Sequence, residues 1–312
     1  MTADFAAGIG DPASMTRVHT RMRTENMTPE LRASYAACRR VHRRHDPTYY
    51  WATRRLPAEV RPATHALYGY VRTADQIVDG PHRPPTPAAR RAALDAWEDE
   101  LHRGLAGNGG EPPHPVVGAL VDAGERHDLP LGELGPYMRS MRVDCGPVRI
   151  STWDELDVYM DGSAGSVGRI MAPLLGVPER FHADFGYLGQ AFQLANFIRD
   201  VREDWAMDRI YMPADDRERL GVAEEDFGRR RATPALRALI AQQVARARAL
   251  FAAAEPAVAA APASVRSGVR LACAAYGRVL DRAEAAGGDV LGRGVGLRAR
   301  DLPSVLASVR RR

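Results

Sequence analysis

The 312-residue chain contains no uninterrupted apolar run of the ~20 residues that a membrane-spanning helix requires. Its opening stretch, MTADFAAGIGDPASMTR, lacks the apolar core of a secretory signal. A cytoplasmic protein is therefore expected. Only three cysteines occur, Cys38, Cys145 and Cys273, and their scattered positions speak for reduced thiols rather than a disulfide framework or a zinc site. Charge of either sign is nearly balanced, with Lys+Arg 43 against Asp+Glu 39 for a formal +4. That excess is too small to argue for nucleic acid, and the arginines read as spread along the chain, with the RRR clusters at 229–231 and 310–312 taken as solvated helix ends. A modest attraction to phosphates or to an anionic membrane surface is all it implies. Alternating strand patterns are absent. So is a dinucleotide fingerprint: Gly162, Gly165 and Gly168 fall within DVYMDGSAGSVGRIMAPLLG, but no strand precedes them and their spacing is wrong.

Helical periodicity dominates instead, and it predicts helices near 29–45, 57–79, 87–105, 114–127, 130–143, 153–175, 179–205, 233–258 and 262–286. Breaks fall at GPHRPPTP, AGNGGEPPHP and the GVPER turn, where glycine and proline interrupt the pattern. With no internal repeat and no long low-complexity linker, the expectation is one all-α domain over 29–312 behind a mobile tail at 1–28.

Two acid pairs at helical spacing carry the chemistry: Asp75 and Asp79 in YGYVRTADQIVDG, and Asp200 and Asp204 in QLANFIRDVREDW. Residues four apart lie one turn along the same helix face, so each pair can present two carboxylates to one point. A solvated face tolerating mild repulsion is the bland alternative. Against it stand the apolar neighbours, Leu67, Tyr68, Val71, Ile77 and Val78 in one segment and Phe192, Leu194, Phe197, Ile198 and Val201 in the other. Carboxylates set among such residues need a partner or a metal. Asn196, one turn before Asp200, adds another oxygen to the stripe. Two such pairs would cage hard cations, and Mg²⁺ leaves positions for water and phosphate, which points to a diphosphate substrate.

Other residues gather around these pairs. Arg72, three before Asp75, either forms an intrahelical salt bridge or grips a phosphate oxygen. CRRVHRRHDPTYY offers His45, Thr48 and Tyr49 as a phosphate-facing rim or a plain basic helix end. DRIYMP follows the second pair at once, making Arg209 and Tyr211 candidate lid groups. The small residues Gly162, Ala164, Gly165 and Ser166 leave room either for close helix packing or for a slim apolar ligand. Tyr159 opens that stretch, as a core tyrosine or with its ring toward a cation and its hydroxyl toward a departing phosphate.

The segments SYAACRRVHRRHDPTYYWATRRLP, ALYGYVRTADQIVDG, YMDGSAGSVG and QLANFIRDVREDWAMDRIYMP resemble the squalene and phytoene synthase family of head-to-head prenyl transferases, nearest to its bacterial phytoene synthases. The resemblance covers roughly residues 31–295, and the last segment is the most specific. It implies a single-domain isoprenoid synthase bundle with a central cavity. Mg²⁺, or Mn²⁺ in its place, would bridge diphosphates to Asp75 and Asp79 on one side and to Asn196, Asp200 and Asp204 on the other. His45, Arg72, Arg209, Tyr211 and Arg293 would contact diphosphate oxygens, Gln193 would lie beside them, and Tyr159 would sit next to the reacting carbons. The implied reaction joins two geranylgeranyl diphosphates into phytoene through a cyclopropylcarbinyl diphosphate, in carotenoid biosynthesis. Squalene, dehydrosqualene or presqualene diphosphate from farnesyl diphosphate is the alternative, and a non-catalytic protein that binds prenyl lipids is the alternative of another class. NADPH is not expected, nucleic acid is not an expected partner, and contact with the membrane surface is. Four positions depart from the family pattern: Asp46 replaces a hydroxyl residue, Gln76 a second Asp, and Met207 and Asp208 the Arg-Gly before Arg209.

Overall fold

The structure, a computed structural model, describes residues 27–45, 49–50, 53–107, 113–297 and 301. Most of the expected tail, along with Asp46 and Thr48, falls outside them, as does the side chain of Arg293. The helices are α1 (Pro29–His45), α2 (Arg61–Asp79), α3 (Pro87–Ala106), α4 (Pro115–His127), α5 (Leu134–Val143), α6 (Trp153–Met160), α7 (Ser166–Leu174), α8 (His182–Arg199), α9 (Val201–Ala206), α10 (Ala214–Leu220), α11 (Pro234–Ala260), α12 (Ala263–Ala285) and α13 (Val290–Arg293).

Local chemistry sets their ends. Proline in the first turn starts α2, α3, α4 and α11, where the missing N–H costs no hydrogen bond. Thr86, Thr152 and Thr233 cap α3, α6 and α11 by accepting the N–H of Ala89, Glu155 and Leu236. Gly107 closes α3 in the left-handed region, and Gly80, whose added Cβ would lie 2.4 Å from the Gln76 carbonyl oxygen, closes α2.

Several helix ends shift by a few residues, the short helices α10 and α13 were not expected, and other features also differ from the periodic reading. The expected 153–175 helix is interrupted by a π turn at Asp161–Gly165, which inserts one wide turn between α6 and α7. The expected 179–205 helix leaves helical geometry at Asp200 (φ −103°, ψ 14°), dividing α8 from α9. Both flanking bonds survive, Asp200 N–H to Asn196 O and Asp204 N–H to Asp200 O at 2.8 Å each, so the one-turn spacing of the acids is retained. Two short segments that periodicity passes over, Val148–Arg149 (β1) and Arg209–Ile210 (β2), pair in parallel with Val148 beside Arg209.

Helix α8 runs through the centre, packed most extensively on α11. Its Phe185 and Leu188 join one apolar core, built largely from α1 to α5 and α7. Leu194, Ala195, Phe197 and Ile198 join a second, around α6, the strand pair and the first half of α11. Close approach at α8 requires glycine. A Cβ on Gly189 would meet the Ala164 carbonyl oxygen at 2.1 Å, and one on Gly168 the Phe185 carbonyl oxygen at 2.7 Å. No helix of the described residues is long and apolar enough to cross a membrane. All three cysteines are free thiols, as expected.

Candidate functional site

The acidic segments meet across one cavity of about 480 Å³, lined by Asp75 and Asp79 from α2 and by Asp200 and Asp204 at the α8–α9 break. Arg72, Gln193, Asn196, Arg209, Tyr211 and Tyr159 line the same space. A second cavity of about 310 Å³ adjoins it, walled by Tyr68, Val71, Val167, Met171, Phe185, Leu188 and Phe192. Gln193 and Asn196 belong to both, so a polar chamber and an apolar channel share one ledge. From Asn196 back to Phe185 the channel follows α8 for ~16 Å at 1.5 Å per residue. The small residues of the 162–168 stretch serve both readings given to them: Gly168 closes helix packing, while Ala164 and Gly168 also line the channel.

The carboxylates are held unequally. Arg209 grips Asp79 with two N–H donors at 2.6 and 3.0 Å, and Arg199 grips its neighbour Asp200 at 2.6 and 2.7 Å. Arg72 stands 3.8 Å from Asp75, which also accepts the Tyr137 hydroxyl at 3.2 Å. Burial pushes the Asp75 carboxyl up to about 6, with Arg72 and Tyr137 pulling it back. Its side chain keeps 38% exposure at the lining of the chamber, and desolvation by the surrounding protein remains the largest cause of the upward shift. Asp204 has no ion pair among the described residues. Burial, and then the charge of Asp200, push its carboxyl up to about 8 against the pull of Arg209.

Arg209 and Tyr211 are not a lid. Arg209 lies in β2 and Tyr211 directly after its end, and both line the chamber while Ile210 and Met212 enter the core. Each is 5% exposed. Asp208, one of the departures from the family pattern, adopts φ +61°, the left-handed region that glycine enters most easily. Its carboxylate turns to Arg149 at 2.6 Å, so it does not lower the charge of the chamber.

Asp144 is a site residue that the spacing argument missed. It is 6% exposed, lines the chamber, and accepts the hydroxyls of Tyr159 at 2.5 Å and Tyr211 at 2.7 Å, while its backbone oxygen accepts Arg209 at 2.6 Å. Burial pushes its carboxyl up to about 6, opposed by Arg209 and the two hydroxyls. A lone acid in MRVDCG has no partner one turn away, and its tyrosines lie 15 and 67 positions on, so periodicity gives no signal for it. Glu203, which lines the chamber, and Arg199, which does not but holds Asp200, were not foreseen. His45 is exposed at the end of α1 and does not line the chamber, although burial and then Arg72 and Arg44 lower its pKa.

The donor set fits a hard divalent ion. Carboxylates surround the space, Asp204 has no ion pair among the described residues, and the buried Asn196 Oδ1 has no hydrogen-bond partner. The closed cage expected from the acid spacing is nevertheless not formed: among the described residues, no three carboxylate, imidazole or thiolate groups converge tightly enough to chelate an ion unaided. The arginine grips on Asp79 and Asp200 account for this, since they turn those carboxylates toward guanidinium groups. An ion here would be held by one or two oxygens from a wall, among Asp75, Asp79, Asn196, Asp200 and Asp204.

An all-helical bundle that joins an apolar channel to a chamber of facing aspartates has the architecture of an isoprenoid synthase. The chain belongs to the squalene/phytoene synthase family, whose sequence model matches residues 42–301. It is 36% identical to the phytoene synthase of Thermus thermophilus over 274 residues, covering 88% of this chain and 91% of that one. It is 33% identical to the phytoene synthase of Arthrospira platensis, covering 82% and 86%. In structure it resembles a dehydrosqualene synthase with a TM-score of 0.81 over 90% of this chain and 97% of the other, at 24% identity, a likeness of fold.

Proposed function

We propose that the protein condenses two geranylgeranyl diphosphates head to head into phytoene through a cyclopropylcarbinyl diphosphate. The observation that carries this reading is the shared ledge. Gln193 and Asn196 line both cavities, so a diphosphate head in the chamber would continue into a prenyl chain in the channel. The phytoene synthases to which the chain is similar over most of its length favour C20 substrates and a final proton loss, for which no NADPH is needed. Farnesyl diphosphate with a squalene-type product is the second reading, and the phytoene synthase relatives weigh against it. A binding protein without turnover is the third, and the retention of all four chamber aspartates weighs against it.

Asp75 and Asp79 would hold ions of one substrate, and Asn196, Asp200 and Asp204 those of the other. Mg²⁺, or Mn²⁺, supplies charge that stabilises departing pyrophosphate. Arg72, and Arg209 once released from Asp79, would neutralise the same developing charge, and Arg293 and His45 are assigned here by family resemblance alone. The C–O bond of one substrate breaks, the double bond of the other attacks the allylic cation, and a proton leaves as the cyclopropane closes. The second diphosphate then departs, the skeleton rearranges, and loss of a second proton gives the hydrocarbon. Tyr159, tied to Asp144, keeps its ring fixed beside Phe197 and Tyr211, and the apolar walls keep water from the cations.

The test is incubation of the protein with Mg²⁺ and labelled geranylgeranyl or farnesyl diphosphate, with mass analysis of the products. The expected outcome is a C40 hydrocarbon from the C20 substrate, and no product from an Asp200→Ala variant with an unchanged circular dichroism spectrum. Full activity of that variant removes the ion-holding assignment.

A further inference from the structure

All 43 basic residues of the chain are arginine; lysine is absent. Seven of them lie between residues 39 and 61, opposed only by Asp46 and Glu59, while the rest of the chain holds 36 arginines and 37 acidic residues. Arginines are spread along the chain and another basic stretch, 229–248, holds six of them without an acid, but there Arg229, Arg237, Arg246 and Arg248 are each paired with a carboxylate from elsewhere in the chain. The fold turns the 39–61 stretch outward. In α1, Cys38 and His42 are buried, whereas Arg39, Arg40, Arg43 and Arg44 are exposed and cover ~140° of the helix circumference at ~100° per residue. Arg40, Arg43, Arg44 and the exposed Arg55 have no acidic partner among the described residues.

This charged face borders the apolar channel. Tyr49 lines the channel and is 36% exposed, and its ring lies 5.3 Å from that of His42 on the inner side of α1. Thr53 and Leu56 line the channel on either side of Arg54 and Arg55. Across from them Gly268 of α12, another lining residue, approaches the Arg55 Cβ.

We propose that the arginine face of α1 and residues 54–55 docks on an anionic bilayer, so that prenyl chains pass between the acyl layer and the channel mouth at Tyr49. The inference rests on the prenyl-condensing reading of the site. Guanidinium groups fork lipid phosphates bidentately and keep their charge at any working pH. An apolar opening inside the charged rim matches a bilayer, which offers anionic heads around an apolar interior. A nucleic acid surface would call for further exposed aromatics among the arginines, and the described part of the stretch shows Tyr49 alone.

The experiment is sedimentation of the purified full-length protein with vesicles of phosphatidylcholine alone or with about one-third phosphatidylglycerol, at low and high salt. Binding is expected only to the anionic vesicles and is expected to be lost in high salt. Arg40→Glu/Arg43→Glu/Arg55→Glu should weaken it roughly 100-fold, and the uncharged Arg→Gln counterpart by an intermediate factor. Arg230→Glu/Arg231→Glu, an exposed control elsewhere, should bind like the wild type. Turnover of detergent-dispersed geranylgeranyl diphosphate by the first two variants should stay within about threefold of wild type, which also reports that they fold. Equal binding to neutral vesicles, unchanged binding by the variants, or tighter binding to duplex DNA than to anionic vesicles overturns the proposal. Absence of wild-type turnover in detergent would instead remove the condensing reading and leave the vesicle measurement intact.

Discussion

Asp204 gives the proposed ion binding a pH signature. Its pKa of about 8 stands far above the unfolded value of 3.8, so its contribution to stability is complete below about pH 4 and is lost as pH rises through 8. A divalent ion must displace that proton. Mn²⁺ affinity, followed by electron paramagnetic resonance, should rise about tenfold per pH unit from 6 to 8 and then level off. An Asp204→Asn variant should lose this slope and melt higher than the metal-free wild type at pH 8, while losing turnover. A pH-independent affinity in the wild type would contradict the reading. Asp144 acts at second hand, by fixing Tyr159, Tyr211 and Arg209. Asp144→Asn should lower kcat roughly 100-fold with little change in KM, and Tyr159→Phe in that background should add little further loss, because both changes break one bond. Additive losses would show that the two residues act separately.

At the scale of elements, glycine sets how closely α7 and α8 approach, and that approach shapes the channel. Gly189→Ala forces its Cβ against the Ala164 backbone, which no side-chain rotation relieves. The expected cost is about 1–3 kcal/mol in urea unfolding, together with a shift of product toward the shorter substrate as the helices part and the lining is disturbed. A neutral effect on both would mean the helices adjust freely. Helix positions were legible in the sequence wherever a proline start or a threonine cap coincided with apolar periodicity, as in α3 and α11. The π turn at 161–165 and the break at Asp200 were not legible. Both preserve the apolar pattern on either side, so nothing in composition marks them. The β1–β2 pair is two residues long on each side, too short for alternation to register, yet Arg209 lies in it and Tyr211 directly after its end.

For the molecule as a whole, the sequence disclosed the acids and their separation in the chain but not their company. Spacing within one helix predicts which side chains share a face. It says nothing about Arg209 reaching Asp79 across 130 positions or Asp144 serving two distant tyrosines. The channel was foreseen as a consequence of small residues and family resemblance, and its wall of α2, α7, α8 and α12 residues emerges only from packing.

The arginine grips on Asp79 and Asp200 have a bearing on the order of events. A guanidinium already seated on a carboxylate leaves it readily only for a stronger anion, so the protein holds placeholders at those two posts. Naked ions arriving alone have to evict them without offering a new seat. On the proposed reading, a diphosphate that brings its own ions would offer the displaced arginines somewhere to go, and cargo and counterion would be recognised as one package.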